Sequence, residues 1–217
     1  YAKGPHNWEI NTATGEVSHK QNIYSDKAYY FITVNDSDGK RIQNAVPVIG
    51  TPVTQITSFN DYTFYEKETS NLFAAGRRWL GEEFSLENQQ TFQIPFPNAI
   101  QNEPLHIKVR AVAVSGLTSS MQVNVNSQEQ FNLNFGAAFS SSTLASDRVG
   151  SVSIMNPSST IDIILDYNNG GNPSAKAYLD YIEVSGKKQL IVDDFQYSFR
   201  NFDLVNTSSL NEYQIQN

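Results

Sequence analysis

Apolar residues recur with period two along most of this chain, the spacing that places alternate side chains on one face of an extended strand. In LHIKVRAVAV, residues 105–114, Leu105, Ile107, Val109 and Ala111 share one face while His106, Lys108 and Arg110 share the other, which predicts a half-buried antiparallel strand. The same alternation runs through MQVNVN (Met121, Val123, Val125), TFQIPF (Phe92, Ile94, Phe96) and IDIILDY (Ile161, Ile163, Leu165, Tyr167). Further strands are predicted over AYYFITV, YTFYEKE, AYLDYIEV, QLIVDDF and FQYSFRNF, and a strand or extended segment over RRWLGEEF. Turn formers separate these runs: NDSDGKR at 35–41, NNGGNP at 168–173 and SGK at 185–187, where Gly or Asn accepts positive φ. The last two flank AYLDYIEV and predict tight reversals on both sides of it.

Helical spacing nowhere exceeds two turns, and its best instance, NLFAAGRRWL, is interrupted by Gly76. Many short strands with turn signals every 8 to 12 residues or so predict an all-β protein, an antiparallel β-sandwich or jelly roll. A composition shift in VIGTPVTQITS, residues 48–58, divides the chain into a small β-rich unit, 1–57, and a sandwich, 58–217.

Composition narrows the function. The chain of 217 residues carries a net charge of −7 and 17% charged residues, so it lacks the basic field that nucleic acid demands. No apolar run approaches the roughly 18 residues of a membrane span. The absence of cysteine removes disulfides, thiolate ligands and a cysteine nucleophile. Abundant Asn, Ser, Thr and Tyr match extracytoplasmic β-proteins, and a start at Tyr1 predicts a piece of something longer.

Candidate chemistry is sparse. His106 falls on the polar face of its strand, and His6 in KGPHNW and His19 in GEVSHKQ fall in loop-like sequence, where a surface role is expected of both. No nucleophile elbow, zinc-binding helix, phosphate loop or dinucleotide fingerprint occurs, so no catalytic residue is assigned. Asp193 and Asp194 are adjacent, and strict alternation sends Asp180 and Glu183 to opposite faces, so neither pair makes the two facing carboxylates of a glycosidase. Asp36, Asp38 and Gly39 resemble half of a calcium loop without its remaining oxygen ligands; no metal or other cofactor is expected, and a structural calcium has no support.

The densest feature is FYEKETSNLFAAGRRWLGEEF, residues 64–84, where charge and aromatic residues gather in a chain otherwise poor in charge. Arg77 or Arg78 is expected to stack on Trp79 and pair with Glu66, Glu68, Glu82 or Glu83, either pinning a loop to a sheet or docking a partner.

The pattern of Glu68 (or Glu66), Asn71, Leu72, Gly76, Arg77, Trp79, Gly81, Glu82 and Phe84 resembles the region before the peptidase domain in the type IX secretion sortases, of the gingipain-type cysteine peptidases. YAKGPHNW, NIYSDKAYYFIT, DGKRI and AYLDYIEV...QLIVDDFQYSFR agree in the same order, with weakest support between about 85 and 175. The resemblance implies a parent that removes C-terminal sorting domains from secreted cargo at the outer membrane and attaches the cargo to surface lipopolysaccharide. Its nucleophilic Cys and partner His would follow residue 217, leaving this region non-catalytic. Glu68, Asn71, Arg77, Trp79 and Glu82 would then dock the downstream peptidase domain, secreted cargo or another secretion component.

A carbohydrate-binding jelly-roll module is the rival reading, resting on eleven tyrosines, two tryptophans and the likeness of YLDYIEV to a late strand of galactose-binding-type sandwiches. Tyr178, Tyr181 and Ile182 equally fit the packing of a central strand.

Overall fold

The computed structural model describes residues 6–11, 16–22, 27–34, 36, 38–72, 78–138, 144–192, 197–204 and 207–216. Among them there is no helix, and the fold is an all-β sandwich. In chain order the strands are β1 (His6–Asn11), β2 (Glu16–Gln21), β3 (Thr54–Ile56), β4 (Ser58–Glu66), β5 (Glu83–Phe84), β6 (Gln89–Pro95) and β7 (Leu105–Val114). Then come β8 (Ser119–Val125), β9 (Gln128–Phe135), β10 (Ser146–Ile154), β11 (Thr160–Asn168), β12 (Lys176–Gln189) and β13 (Asn211–Tyr213).

One sheet runs β10-β7-β12-β4 with β5 also paired to β12, and the other runs β6-β11-β8-β9; all neighbours in both are antiparallel. Two small sheets accompany them, the β1–β2 hairpin and a parallel β3–β13 pair. The alternation read from sequence is the core: Ile107, Val109 and Ala111 of β7 face Met121 and Val123 of β8 and Ile161, Ile163 and Leu165 of β11 within one fully buried cluster. Burial of each large aliphatic or aromatic side chain there contributes about 1.5–3 kcal/mol, so this face fixes the register of every central strand.

Several expectations fail, among them QLIVDDF, of which only Gln189 lies in a strand among the described residues. SGK is no reversal: β12 continues through it to Gln189, and Gly186 pairs with Asp61 of β4. A Cβ on Gly186 would lie 2.8 Å from Leu105 Cδ1, so glycine serves close packing there and not a turn. AYYFITV is not a strand, because its residues 28–34 find no pairing partner among the described residues; Tyr197, Phe199 and Arg200 of FQYSFRNF likewise lie outside the strands. Conversely, β9 and β10 carry polar outer faces, and β10 also a glycine, which hid them from a search for apolar runs.

The NNGGNP turn forms as predicted, with Gly170 at φ 64° and Gly171 at φ 83°. Of NDSDGKR, Asn35 and Ser37 lie outside the described residues, as do Asp193 and Asp194 and most of the NLFAAGR stretch.

Candidate functional site

The outer face of the five-stranded sheet gathers Phe64, Glu66 and Arg78 of the 64–84 stretch, while Tyr65 and Phe84 pack on the core side. Alternation along β7 sends His106, Lys108 and Arg110 outward, and alternation along β4 sends Tyr62, Phe64 and Glu66 to the same side. On β12 the register shifts between Leu179 and Tyr181, leaving Asp180 as an extra, unpaired residue. That bulge breaks strict alternation, so Asp180 and Glu183 lie on one face rather than two, at 5% and 4% exposure.

Two elements cover these charges. The β1–β2 hairpin places Trp8 against Tyr62, ring centroids 3.6 Å apart, and stacks His19 on Phe64 at 4.1 Å. His19 is therefore a buried interface residue at 9% exposure, not the surface residue expected from its loop-like sequence. Its Nδ1 lies 2.7 Å from Glu183 Oε1 and its Nε2 2.6 Å from Glu66 Oε2, while its backbone N–H also donates to Glu183. Burial opposes the imidazolium, but the hydrogen bonds to Glu183 and Glu66 outweigh it and push the His19 pKa up to about 9. Both ring nitrogens thus donate, and His19 acts as a cation tying two carboxylates, with Lys108 3.2 Å from the second Glu183 oxygen.

The other cover is the connection from β4 to β5, closed by a bridge between Ser70 and Leu80. Arg78 leaves it to donate to Asp147 of β10 and Asp180 of β12, both at 2.7 Å. Arg110 meets the same Asp147 at 2.6 Å. Although burial opposes it, the hydrogen bonds from Arg110 and Arg78 hold the Asp147 carboxyl down at about 2. Arg78 does not pair with a glutamate of its own stretch, as the sequence had implied; its partners come from strands 69 and 102 residues away.

The predicted docking residues separate. Glu82 accepts from Tyr65 and pairs with Lys67 at 2.9 Å, and these bonds hold its carboxyl below the usual range against the effect of burial. Glu68 sits half-buried; burial, with Glu66 adjacent, pushes its pKa up to about 7. Asn71 is half-buried in the covering loop, and Trp79, next to the Ser70–Leu80 bridge, is 40% exposed. Arg77 lies outside the described residues.

Chemically, the layer is a set of ion pairs with incomplete hydrogen bonding, since Arg78 Nε, Glu183 Oε2 and Glu68 Oε2 are buried without a hydrogen-bond partner among the described residues, and burial beside Glu66 pushes the Glu68 pKa up to about 7. Among the described residues no three His, Asp or Glu side chains are grouped to hold a metal ion. The tyrosines of YLDYIEV pack as a central strand would have them, Tyr178 buried and Tyr181 half-buried. What sequence reading missed here was His19, Asp147 and Asp180. HNWEIN and EVSHKQ do alternate on either side of a glycine-bearing turn, and that hairpin signal was available for Trp8 and His19.

Elsewhere, residues 27–34 and 38–53 carry a run of bare apolar side chains. Phe31 is 95% exposed, and Ile32, Val34, Ile42, Val46 and Ile49 are almost equally open. Monomeric proteins rarely leave so many apolar side chains bare in one stretch.

No protein-family model matches the chain, and no curated protein matches its sequence. Among solved structures, the fold is similar to the crystal structure of dimeric latent PorU from Porphyromonas gingivalis, with a TM-score of 0.67 and 18% identity over 94% of this chain. The chain spans about 20% of that protein's length. Weaker likenesses include a CBM36 carbohydrate-binding module in complex with calcium and xylotriose, TM-score 0.37 at 17% identity over 56% of this chain and 98% of the module. Another is a family 35 carbohydrate-binding module from an environmental isolate, TM-score 0.37 at 14% identity over 62% of this chain and 97% of that one.

Proposed function

We propose that the chain serves as a non-catalytic accessory β-domain of a PorU-like sortase, working outside the cytoplasm at the cell surface, and that its task is to dock. The observation that carries this reading is the 27–53 segment. Most of its large apolar residues are β-branched or aromatic and spaced for strands, yet they are exposed, and residues 28–34 and 38–50 form no strand pairing among the described residues. A segment of this composition gains stability when it adds to a second β-surface, through main-chain hydrogen bonds and alternate side-chain pockets. The downstream peptidase domain of the same protein is the partner it would meet at highest effective concentration. The resemblance in the 64–84 stretch and the fold likeness to PorU support the same assignment. In that setting the parent would cut sorting signals from secreted cargo, with its Cys–His pair outside these residues.

The test begins with the parent reading frame beyond Asn217, where a domain carrying paired His and Cys is expected. That domain, produced separately, should bind the 217-residue chain, and Phe31→Asp with Ile42→Asp should abolish binding while leaving the melting temperature unchanged. A glycosidase domain in that place, or binding indifferent to both substitutions, would remove the proposal.

A further inference from the structure

A cleft of about 540 Å³ lies on the outer face of the other sheet, β6-β11-β8-β9, beneath the connection between β5 and β6. We propose that it binds a neutral saccharide. This goes beyond the docking function, because no residue of the cleft belongs to the 27–53 segment.

The pleat builds the floor. Met121 and Val123 of β8 point into the core, so Ser120 and Gln122 point out; β11 and β9 alternate likewise. Register then aligns them in two cross-strand rows: Asn132, Gln122 and Asp166 form one, and Asn134, Ser120 and Asn168 the other. Adjacent members sit one strand spacing apart, about 4.8 Å. Asn88 and the fully exposed Leu86 stand on the overhanging connection, and Asn169 closes one end.

Their hydrogen-bonding capacity is only partly used within the chain. The carbonyl oxygens of Asn168 and Asn169 accept from the Gly170 and Gly171 amides at 3.0 and 2.9 Å, which locks both side chains and turns their NH₂ groups away from those bonds. Gln122 Oε1 is approached by Asn124 at 3.5 Å, and its NH₂ has no acceptor among the described residues. Asn132 donates to Glu129 and keeps its carbonyl oxygen open, and Asp166 takes one bond from Gln89. Among the described residues, the Asn88 and Ser120 side chains make no hydrogen bond.

The ligand class follows from this inventory. Free donors and free acceptors are interleaved, which suits hydroxyls because each one both donates and accepts. No Lys, Arg or His lines the cleft and Asp166 is its lone carboxylate, so an anionic ligand gains nothing there. A peptide would prefer a sheet edge, whereas β8 and β11 are interior strands whose main-chain groups are already paired. Leu86 supplies an apolar lip for the C–H face of a sugar ring.

The rim is held by geometry. Gly170 has φ +64°, and a Cβ there would lie 2.0 Å from the Thr118 carbonyl oxygen, so the backbone turns back against β8 and fixes Asn168 and Asn169 in place.

The test is a heteronuclear NMR titration of the 217-residue chain with xylotriose, maltotriose, mannotriose and chitotriose, with trigalacturonate as the acidic counterpart and a Gly-Ser hexapeptide as the main-chain counterpart. At least one neutral trisaccharide should shift the side-chain amide signals of Gln122, Asn168 and Asn169 at low-millimolar concentration. Gln122→Ala with Asn132→Ala should weaken that binding roughly tenfold, the combined loss of two hydrogen bonds of ordinary worth. Core signals such as that of Ile163 report that the variant folds, and Asn88→Ala, on the overhang, provides the same test without touching the sheet. The proposal fails if no neutral trisaccharide moves these signals, if the variants bind unchanged, or if trigalacturonate or the hexapeptide binds as well as the sugars.

Discussion

The two outer faces of the sandwich start from the same rule and end in opposite states. On both, alternation pushes polar side chains away from a shared core. Over the five-stranded sheet those side chains are charged, and the chain spends the β1–β2 hairpin and the 67–82 connection on covering them, pairing His19 with Glu66 and Glu183 and Arg78 with Asp147 and Asp180. Over the four-stranded sheet they are mainly neutral amides and hydroxyls, among the described residues only the β5–β6 connection overhangs the floor, and several groups keep unused donors and acceptors. A buried charge must be paired or it is costly, so a charged face recruits its own cover. An amide face in water is stable bare, and so remains available to a ligand.

The largest test of this contrast is to unbalance the charged face. Glu183→Ala would leave His19 and Lys108 without their shared, buried carboxylate, and removing one partner from such a site costs about 3 kcal/mol. For a chain of this size that is a fall of roughly 6–12 °C in Tm, read by calorimetry. Gln122→Ala on the amide face should stay within about 0.5 kcal/mol by the same measurement, since a half-exposed side chain outside any buried network contributes little. Equal losses at the two positions would erase the distinction between a sealed face and an open one.

Alkaline titration probes the same network without a substitution. The His19 pKa rises from 6.5 in the unfolded chain to about 9 in the folded one, so folding binds a proton between those values. Its contribution is complete below about pH 6.5 and falls away as pH climbs through 9. Trp8, packed on Tyr62 beside it, reports the hairpin. In a Trp79→Phe background, Trp8 fluorescence should shift to the red with a midpoint near pH 9, and His19→Gln should remove that transition. A flat profile from pH 7 to 10 would mean that the hairpin is held by its aromatic contacts alone.

On the open face the sharpest structural constraint is Gly170. Alanine there must adopt a left-handed φ with its Cβ against the Thr118 carbonyl, which costs about 2 kcal/mol and moves Asn168 and Asn169. Thermal unfolding should show the loss, and the Asn168 and Asn169 side-chain amide signals should move while the backbone amide signals of Asp147 and Asp180 stay in place. Uniform shifts over both faces would mean that the sheets are not energetically separate.

How far this could be read from sequence follows the same division. The core was legible because Ile107, Val109, Val123, Ile163 and Leu165 alternate without exception, and a burial pattern of period two admits one fold class. The amide floor was equally implicit in that alternation, but its alignment into rows depends on strand order, which one sequence does not contain. The charged layer was the least legible. One bulge at Asp180 reverses the face assignment made by alternation, and the partners of Arg78 lie 69 and 102 residues away. Gly186 misled in the other direction, since a glycine required for close approach to Leu105 looks the same in sequence as one required for a turn.

The smallest expected effect concerns the residue that first drew attention to the covering loop. If Trp79 were a latch holding that loop down, its truncation would cost several degrees in Tm. With 40% of its surface open and the loop anchored instead by Arg78 and by the Ser70–Leu80 bridge, Trp79→Ala should change stability by no more than about 0.5 kcal/mol. Arg78→Ala should cost more than Trp79→Ala, because it strips the buried Asp180 of its closest cation. Thermal unfolding of the two variants side by side decides which residue closes the charged face. A loss at Trp79 as large as that at Arg78 would transfer the role from the ion pair to the aromatic ring. A silent Trp79 would leave its exposed indole with no part in holding the covering loop.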